Sequence, residues 1–214
     1  MIIHYLKVAV RNLLKYKTQS VISIFGLAIG FACFALSAIW IRYEMTYDDF
    51  HEGAEHIYCI RMEDKNANNG YSIFNPYPLA GYLKDTFAEI KNACSVRTQS
   101  DVPYRINGEN LQLDELWLDS TALPIFHLEI LEGSDEFLRE NGKYAMTDEC
   151  ARRIYGHEHI IGKEIHSAYH KDEVIGTVCA VVKAWPQHSN IRFDILKAGN
   201  MKWSDVWPNL HTFA

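Results

Sequence analysis

Between Lys17 and Arg42 the chain has no charged side chain, and Val21 to Ile41 within that stretch is 21 residues of largely apolar sequence. A helix rises about 1.5 Å per residue, so such a run reaches roughly 31 Å, close to the hydrocarbon thickness of a bilayer. Helices buried in soluble domains rarely go so far without a charge. The sequence therefore predicts a transmembrane helix over residues 20–41.

The flanks orient it. Residues 1–41 contain Lys7, Arg11, Lys15 and Lys17 and no acidic residue, whereas the remainder carries 17 basic against 27 acidic residues. Basic residues beside a first span are retained in the cytoplasm, which places the N-terminus inside and residues 42–214 outside. A cleaved signal peptide would have an apolar core of about 7–15 residues. Here the core is longer, and the bulky Ile39-Trp40-Ile41 follows the small-residue cluster Ala35 to Ala38. An uncleaved signal anchor is the better reading.

Ahead of the span, Ile3, Leu6, Val10, Leu13 and Leu14 recur at helical spacing with the four basic residues between them. This describes a basic amphipathic helix over residues 1–19, suited to the inner membrane surface and its anionic headgroups. Inside the span, Ser23, Gly26, Gly30, Cys33 and Ser37 follow steps of 3, 4, 3 and 4 and share one stripe, with Gly26 and Gly30 forming a GxxxG. Helices in lipid associate by close backbone approach along small residues, so this stripe is the candidate packing face.

Residues after the span suffice for one sizeable domain or two small subdomains. A strand is expected over His56 to Glu63. Asn75 then caps a helix with Pro76 at its first position, and Leu79, Tyr82, Leu83 and Phe87 form its buried side. Cys94 to Thr98 reads as a further strand, and Asn107-Gly108 between apolar flanks is a hairpin signal. Phe126 to Leu131 reads as a short helical turn. Thr147 caps another short helix that Gly156 stops, and Val174 to Lys183 is the most apolar strand, expected at the centre of the sheet. The order points to an α+β fold: one transmembrane helix followed by a mixed α/β domain.

Chemistry-bearing motifs are sparse. The sequence has no nucleophile elbow, P-loop, dinucleotide fingerprint, HExxH or CxxC, so neither a catalytic set nor a cofactor is expected. His157, His159, His166 and His170 form the densest histidine group, but Gly162 separates the pairs and no Cys or acidic ligand stands at metal spacing. Cys59, Cys94, Cys150 and Cys179 fall in the exterior segment, where a disulfide could persist, although cysteines in core strands also serve as small apolar residues. The acidic exterior excludes nucleic acid as a partner.

Several segments together resemble MacB/FtsX-like ABC transporter permeases of the Bacteroidetes type. They are Arg11-Asn12-Leu13-Leu14-Lys15, Ser23 to Gly30, Tyr43-Glu44, Tyr47-Asp48-Asp49-Phe50-His51 and Ile57-Tyr58. Further on come Pro78-Leu79-Ala80 with Leu83 and Glu89-Ile90, Ala151 to Gly156 with Ile161-Gly162-Lys163, and Trp185-Pro186 with Ser189-Asn190 and Phe193-Asp194. Cys59, Ala88 and Gln187-His188 depart from the family pattern, where Arg, Pro and a tighter Pro-Asn-Ser stretch are usual.

The resemblance implies a MacB-like periplasmic core, with a porter-like subdomain and a smaller inserted one. It implies a separate cytoplasmic ABC ATPase as partner, a permease dimer, and export, lipoprotein release or signal relay as the work done. Such permeases have at least three further spans after this domain, so the resemblance implies a chain truncated at its C-terminus. Two other classes remain open: a single-pass membrane-anchored sensor or ligand-binding module, and a membrane-anchored hydrolase, for which the sequence supplies no nucleophile, base and orienter.

Overall fold

The computed structural model describes residues 2–65, 69–73, 75–76, 78–156, 159–170, 173–199 and 211–213. The chain forms two compact units, Met1–Tyr47 and Asp48–Ala214.

The first unit is two helices, α1 (Ile2–Lys15) and α2 (Lys17–Met45). The side chains of Ile3, Leu6 and Val10, expected on the apolar face of α1, lie outside the described set. The break at Tyr16 is a single residue at φ −107° and ψ 58°, and it is bridged by hydrogen bonds from Tyr16 N to Asn12 O and from Ser20 N to Tyr16 O. At 29 residues α2 is long and apolar enough to cross a membrane, and none of its residues is buried by protein. Ile22, Phe25, Phe34 and Trp40 lie exposed on it, an apolar surface of the kind that suits lipid. The helix outruns the 20–41 expectation because Arg42 and Glu44 continue it until Thr46, whose hydroxyl donates to Arg42 O and Tyr43 O. Trp40, Tyr43 and Tyr47 follow one another at ring separations of 6.2 and 5.6 Å, the composition of an interfacial aromatic belt.

The second unit begins with a single 3-10 turn at Ala54–His56, followed by β1 (Cys59–Ile60), β2 (Met62–Glu63), β3 (Tyr71–Ser72) and α3 (Leu79–Thr86). Next come β4 (Cys94–Ile106), β5 (Glu109–Leu118), β6 (Ile130–Gly133), β7 (Lys143–Thr147) and α4 (Asp148–Tyr155). The chain then runs through β8 (Glu164–Ser167), β9 (Val174–Val182), β10 (Ile195–Ala198) and β11 (His211–Phe213). Among the described residues nine strands form one mixed sheet in the order β1-β11-β4-β5-β10-β7-β9-β6, and β8 pairs with both β4 and β9. That double pairing closes a six-stranded ring, β4-β5-β10-β7-β9-β8. Strands β2 and β3 pair separately.

Closure divides the core. Tyr104, Ile106, Leu113, Tyr144, Met146, Ile165, Val178 and Ile195, drawn from all six ring strands, form one buried cluster with Cys150, Ala151 and Tyr155 of α4. Alternate residues of the same strands, such as Val96, Leu116, Ala145 and Leu196, form a second cluster with Phe126, Phe137 and Leu138. Period-two alternation in β4, β5, β7 and β10 thus serves two cores, one on each side of the sheet.

Local signals hold where the chemistry is local. Asn107 and Gly108 both have positive φ, 53° and 81°, the conformation of a type I′ hairpin turn joining Ile106 to Glu109. The Thr147 hydroxyl accepts the Cys150 N–H at 3.2 Å, and Gly156 ends α4 at φ 67°. Gly133, at φ 92°, sits so close to β9 that an added Cβ would lie 2.0 Å from the Cys179 carbonyl oxygen.

Three expectations are corrected. His56 to Glu63 is a turn and two short strands that pair with different partners, β11 and β3. Asn75 is not a cap: it is fully buried, its Nδ2 donates to Ile60 O and Ile73 O, and α3 starts three residues after Pro76. Consequently α3 turns Ala80 inward, while Tyr82 and Phe87 are exposed. The turn near Phe126 precedes it, through Phe126 N to Ala122 O, and Ile130–Leu131 belong to edge strand β6. The strand expected at the centre, β9, is paired along both sides, with β7 on one and with β6 and β8 on the other.

Candidate functional site

Polar residues at the start of the sheet unit have partners far along the chain. Asp48 adopts φ 58°, a left-handed conformation that Asp tolerates better than most residues. Its Oδ1 accepts the Ser189 hydroxyl at 2.6 Å and the Asn190 N–H at 3.0 Å, and its Oδ2 accepts Asn190 Nδ2 at 2.7 Å. The Asp48 N–H in turn donates to His188 O at 3.2 Å. The carboxylate and the backbone N–H of this residue thus all reach a segment about 140 positions later, while its carbonyl accepts the His51 N–H at 3.3 Å. Ser189 is buried, and its oxygen also accepts the Ile191 N–H, which closes the loop behind the carboxylate.

Three residues on, His51 is buried against Phe50, Phe126 and Trp185. Its Nδ1 accepts the backbone N–H of His127 at 3.1 Å, while the His127 carbonyl accepts Trp185 Nε1–H at 3.0 Å. One loop residue thus donates to His51 and accepts from Trp185. Trp185 also stands edge-on to Phe193 at 5.1 Å.

A second polar node lies further along the same loop. Asp194 accepts Arg153 Nη2 at 2.9 Å and the Asp114 N–H at 3.2 Å, and its own N–H donates to Asp114 O. Its carbonyl accepts the Thr147 N–H, tying the entry to β10 to the start of α4. Asp148 adds a bond from the Ala184 N–H at 2.9 Å. Asp114, Arg153 and Asp194 form the wall shared by two clefts of about 410 and 430 Å³.

Inside the ring, Glu115 is 2% exposed and pairs with Lys197, while Tyr104 donates its hydroxyl to Glu115 at 2.7 Å. Lys197 lies over the Trp117 ring at 4.1 Å. Burial, followed by the Glu115 charge, pushes the Tyr144 hydroxyl up to about 12 and raises Tyr104 further. Both phenols therefore stay neutral, and the pair is a structural tie between β5 and β10.

The expected site residues fare unevenly. Ser23, Gly26, Gly30, Cys33 and Ser37 all lie exposed along α2, and an added Cβ at Gly26 or Gly30 meets nothing within 4 Å. Among the described histidines, His159 pairs with Glu132 at 2.6 Å and His166 with Glu164 at 3.5 Å; His157 lies outside the described residues. Among the described residues no group of three His, Cys, Asp or Glu is placed to hold a metal ion. All five cysteines are free thiols. Cys59 and Cys94 flank the same residue, Phe213, from opposite sides of β11, which leaves them two strand spacings apart, roughly 9–10 Å. Burial raises the Cys94 and Cys150 thiols, the latter to about 12, so neither is a ready nucleophile.

Sequence reasoning did not single out Asp48, His51, Arg153 or Asp194 as site residues. Their signal was present in short polar–aromatic clusters, Asp48-Asp49-Phe50-His51 and Ser189 to Asp194, which the fold brings together.

No protein-family model matches the sequence, and no curated protein matches it. Solved structures do. A domain of a protein described as a permease from Porphyromonas gingivalis superposes with TM-score 0.63 at 17% identity, covering 76% of this chain and 76% of that one. The extracellular domain of the ABC-type transporter YknZ from Gram-positive bacteria gives 0.53 at 14% identity, covering 72% and 80%. The periplasmic region of MacB from Actinobacillus actinomycetemcomitans gives 0.54 at 12% identity, covering 75% and 74%. The fold is therefore that of MacB-like extracytoplasmic core domains.

Proposed function

We propose that this chain is the N-terminal part of the permease subunit of an ABC-type export or mechanotransmission complex. Residues 1–19 lie at the cytoplasmic face of a bacterial inner membrane, 20–41 cross it, and 42–214 fold in the periplasm. Its partners are a cytoplasmic ABC ATPase, a second permease copy and the lipid membrane, with a periplasmic protein or lipoprotein as the object of movement. The chain itself supplies no catalytic group. Ser23, Gly26, Gly30, Cys33 and Ser37 form the face along which the span packs against other helices.

One observation carries the reading: the seat of Asp48. The first residue of the sheet unit after the apolar helix is held by Ser189 and Asn190, 141 and 142 positions later. Any displacement of the chain at Asp48 is delivered to the loop after β9, and from there through Asp194 and Arg153 to α4. A lone anchor has no use for such a connection, whereas a domain moved by its span depends on it. The likeness of fold to transporter extracytoplasmic domains supports the same reading.

The test is the intact permease with its cognate ATPase in nanodiscs. Asp48→Ala should leave the ATPase bound while lowering the coupling of ATP turnover to transport. Absence of any ABC ATPase in the recovered complex, or a reporter after Ala214 that reads as cytoplasmic, would overturn the proposal.

A further inference from the structure

His51 occupies an unusual position for a titratable group. It is 5% exposed, with ring separations of 4.0 Å to Phe50, 4.9 Å to Trp185 and 5.2 Å to Phe126. Its Nδ1 accepts the His127 backbone N–H at 3.1 Å. A ring nitrogen can accept an N–H only if it carries no proton, so this bond exists only in the neutral imidazole with its proton on Nε2. Protonation would set two N–H groups against each other in an aromatic box.

Charges around the ring come from two elements. Asp48, on the same segment, favours the cation, and His127, on the facing loop, disfavours it. The third element against the ring, the loop after β9, contributes the Trp185 indole. The Asp48 carboxylate is already engaged by Ser189 and Asn190. Burial is the largest influence and holds the imidazole pKa below its ordinary 6.5.

We propose that His51 is a proton-operated latch on the Asp48 seat. Neutral, it pins residues 48–51 to the 126–127 loop and to Trp185. Protonated, it gives up the His127 bond and loosens the hold on the chain that enters the domain. Because the folded pKa is lowered, the stabilisation is fully present above pH 6.5 and is lost as pH falls through the folded value. The latch rests on the permease reading only for its role in coupling: it would place that coupling under the control of external pH. Its existence is a property of this chain alone and is measured without an ATPase.

The experiment uses the full chain in detergent micelles. Amide hydrogen exchange, expressed as protection factors to remove intrinsic pH dependence, is compared at pH 7.5 and 5.0. Protection at His127 and at 189–191 should fall about tenfold or more, the size expected for losing one buried hydrogen bond and leaving its donor unpaired. Amides of β5 and β7 should keep theirs. His51→Asn places a non-titrating oxygen near Nδ1 and should make the same amides insensitive to pH. Nuclear magnetic resonance titration of the native imidazole, with His127 N–H shifting at the same midpoint below 6.5, supports the latch even if His51→Asn folds poorly. The proposal fails if His127 protection is independent of pH, or if His51→Asn keeps the native dependence. It also fails if His51 titrates at or above 6.5.

Discussion

Removing the Asp48 carboxylate should be among the most damaging single changes near the surface of the sheet unit. Asp48→Ala deletes three accepted hydrogen bonds, at 2.6, 3.0 and 2.7 Å, and leaves the buried Ser189 hydroxyl without its acceptor. Bonds to a charged acceptor are worth about 1.5–3 kcal/mol each when buried. Asn190 is exposed and Asp48 half-buried, so its two bonds are discounted to well under 1 kcal/mol each by solvent competition. Alanine at φ 58° adds left-handed strain of about 1 kcal/mol. The total is about 3–5 kcal/mol, which for a domain of this size lowers Tm by roughly 6–20 °C.

Thermal unfolding of the full chain in micelles, followed by tryptophan fluorescence, reads this directly, because Trp185 stands in the same loop cluster. Asp48→Asn keeps one acceptor oxygen and the tolerance for positive φ but turns an amide toward Asn190 Nδ2, so it should fall between the two. Asp49→Ala, which removes an exposed neighbouring carboxylate, should stay within about 1 °C. If Asp48→Ala melts with Asp49→Ala, the seat holds nothing and cannot couple the chain at Asp48 to the loop after β9.

Three further changes probe other parts of the chain. Gly133→Ala forces a Cβ to 2.0 Å from the Cys179 carbonyl oxygen at φ 92°, so β6 should detach from β9; a native near-ultraviolet circular dichroism spectrum would refute this. Glu115→Gln strands the half-buried Lys197 cation and should cost about 3 kcal/mol in denaturant unfolding, whereas Glu115→Gln with Lys197→Met should recover most of it. In the intact permease, Gly30→Ile should abolish assembly or transport while Ile29→Leu is tolerated, both with the sheet unit intact; equal behaviour in complex recovery would make the stripe incidental.

What was legible in the sequence was local. Asn107-Gly108 needs only its own backbone to specify a turn, Thr147 caps from three residues away, and Gly156 stops α4 by its positive φ. The long apolar helix was readable because its uncharged run is continuous in the sequence and needs no distant partner to be recognised. What escaped was set by distant pairing. Strand β10 has four residues, Ile195–Ala198, and is a strand only because β5 and β7 flank it at registers such as Leu196↔Leu116 and Leu196↔Ala145. Strand β8 is equally short, yet it closes the ring by pairing with β4 and β9. Asn75 shows the converse error: next to Pro76 it has every mark of a cap, but Ile60 supplies a better partner and buries it.

The Asp48 seat was half legible. Asp48 and Ser189-Asn190 were both visible as fragments of a family resemblance, and each alone reads as a solvated polar patch. A carboxylate at φ 58° beside an aromatic histidine segment is a costly arrangement unless something fixed receives it. The fold supplies a hydroxyl, a backbone N–H and a side-chain amide, all within 3.0 Å and all from one loop. That loop leads through Asp194 to Arg153 on α4, so the same few residues that satisfy Asp48 also connect it to the ring. A junction that merely ended a membrane anchor could be any polar linker. In the coupling proposed above, the residue that opens the sheet unit is bound on both carboxylate oxygens to Ser189 and Asn190, so movement of the chain at Asp48 would reach that loop directly.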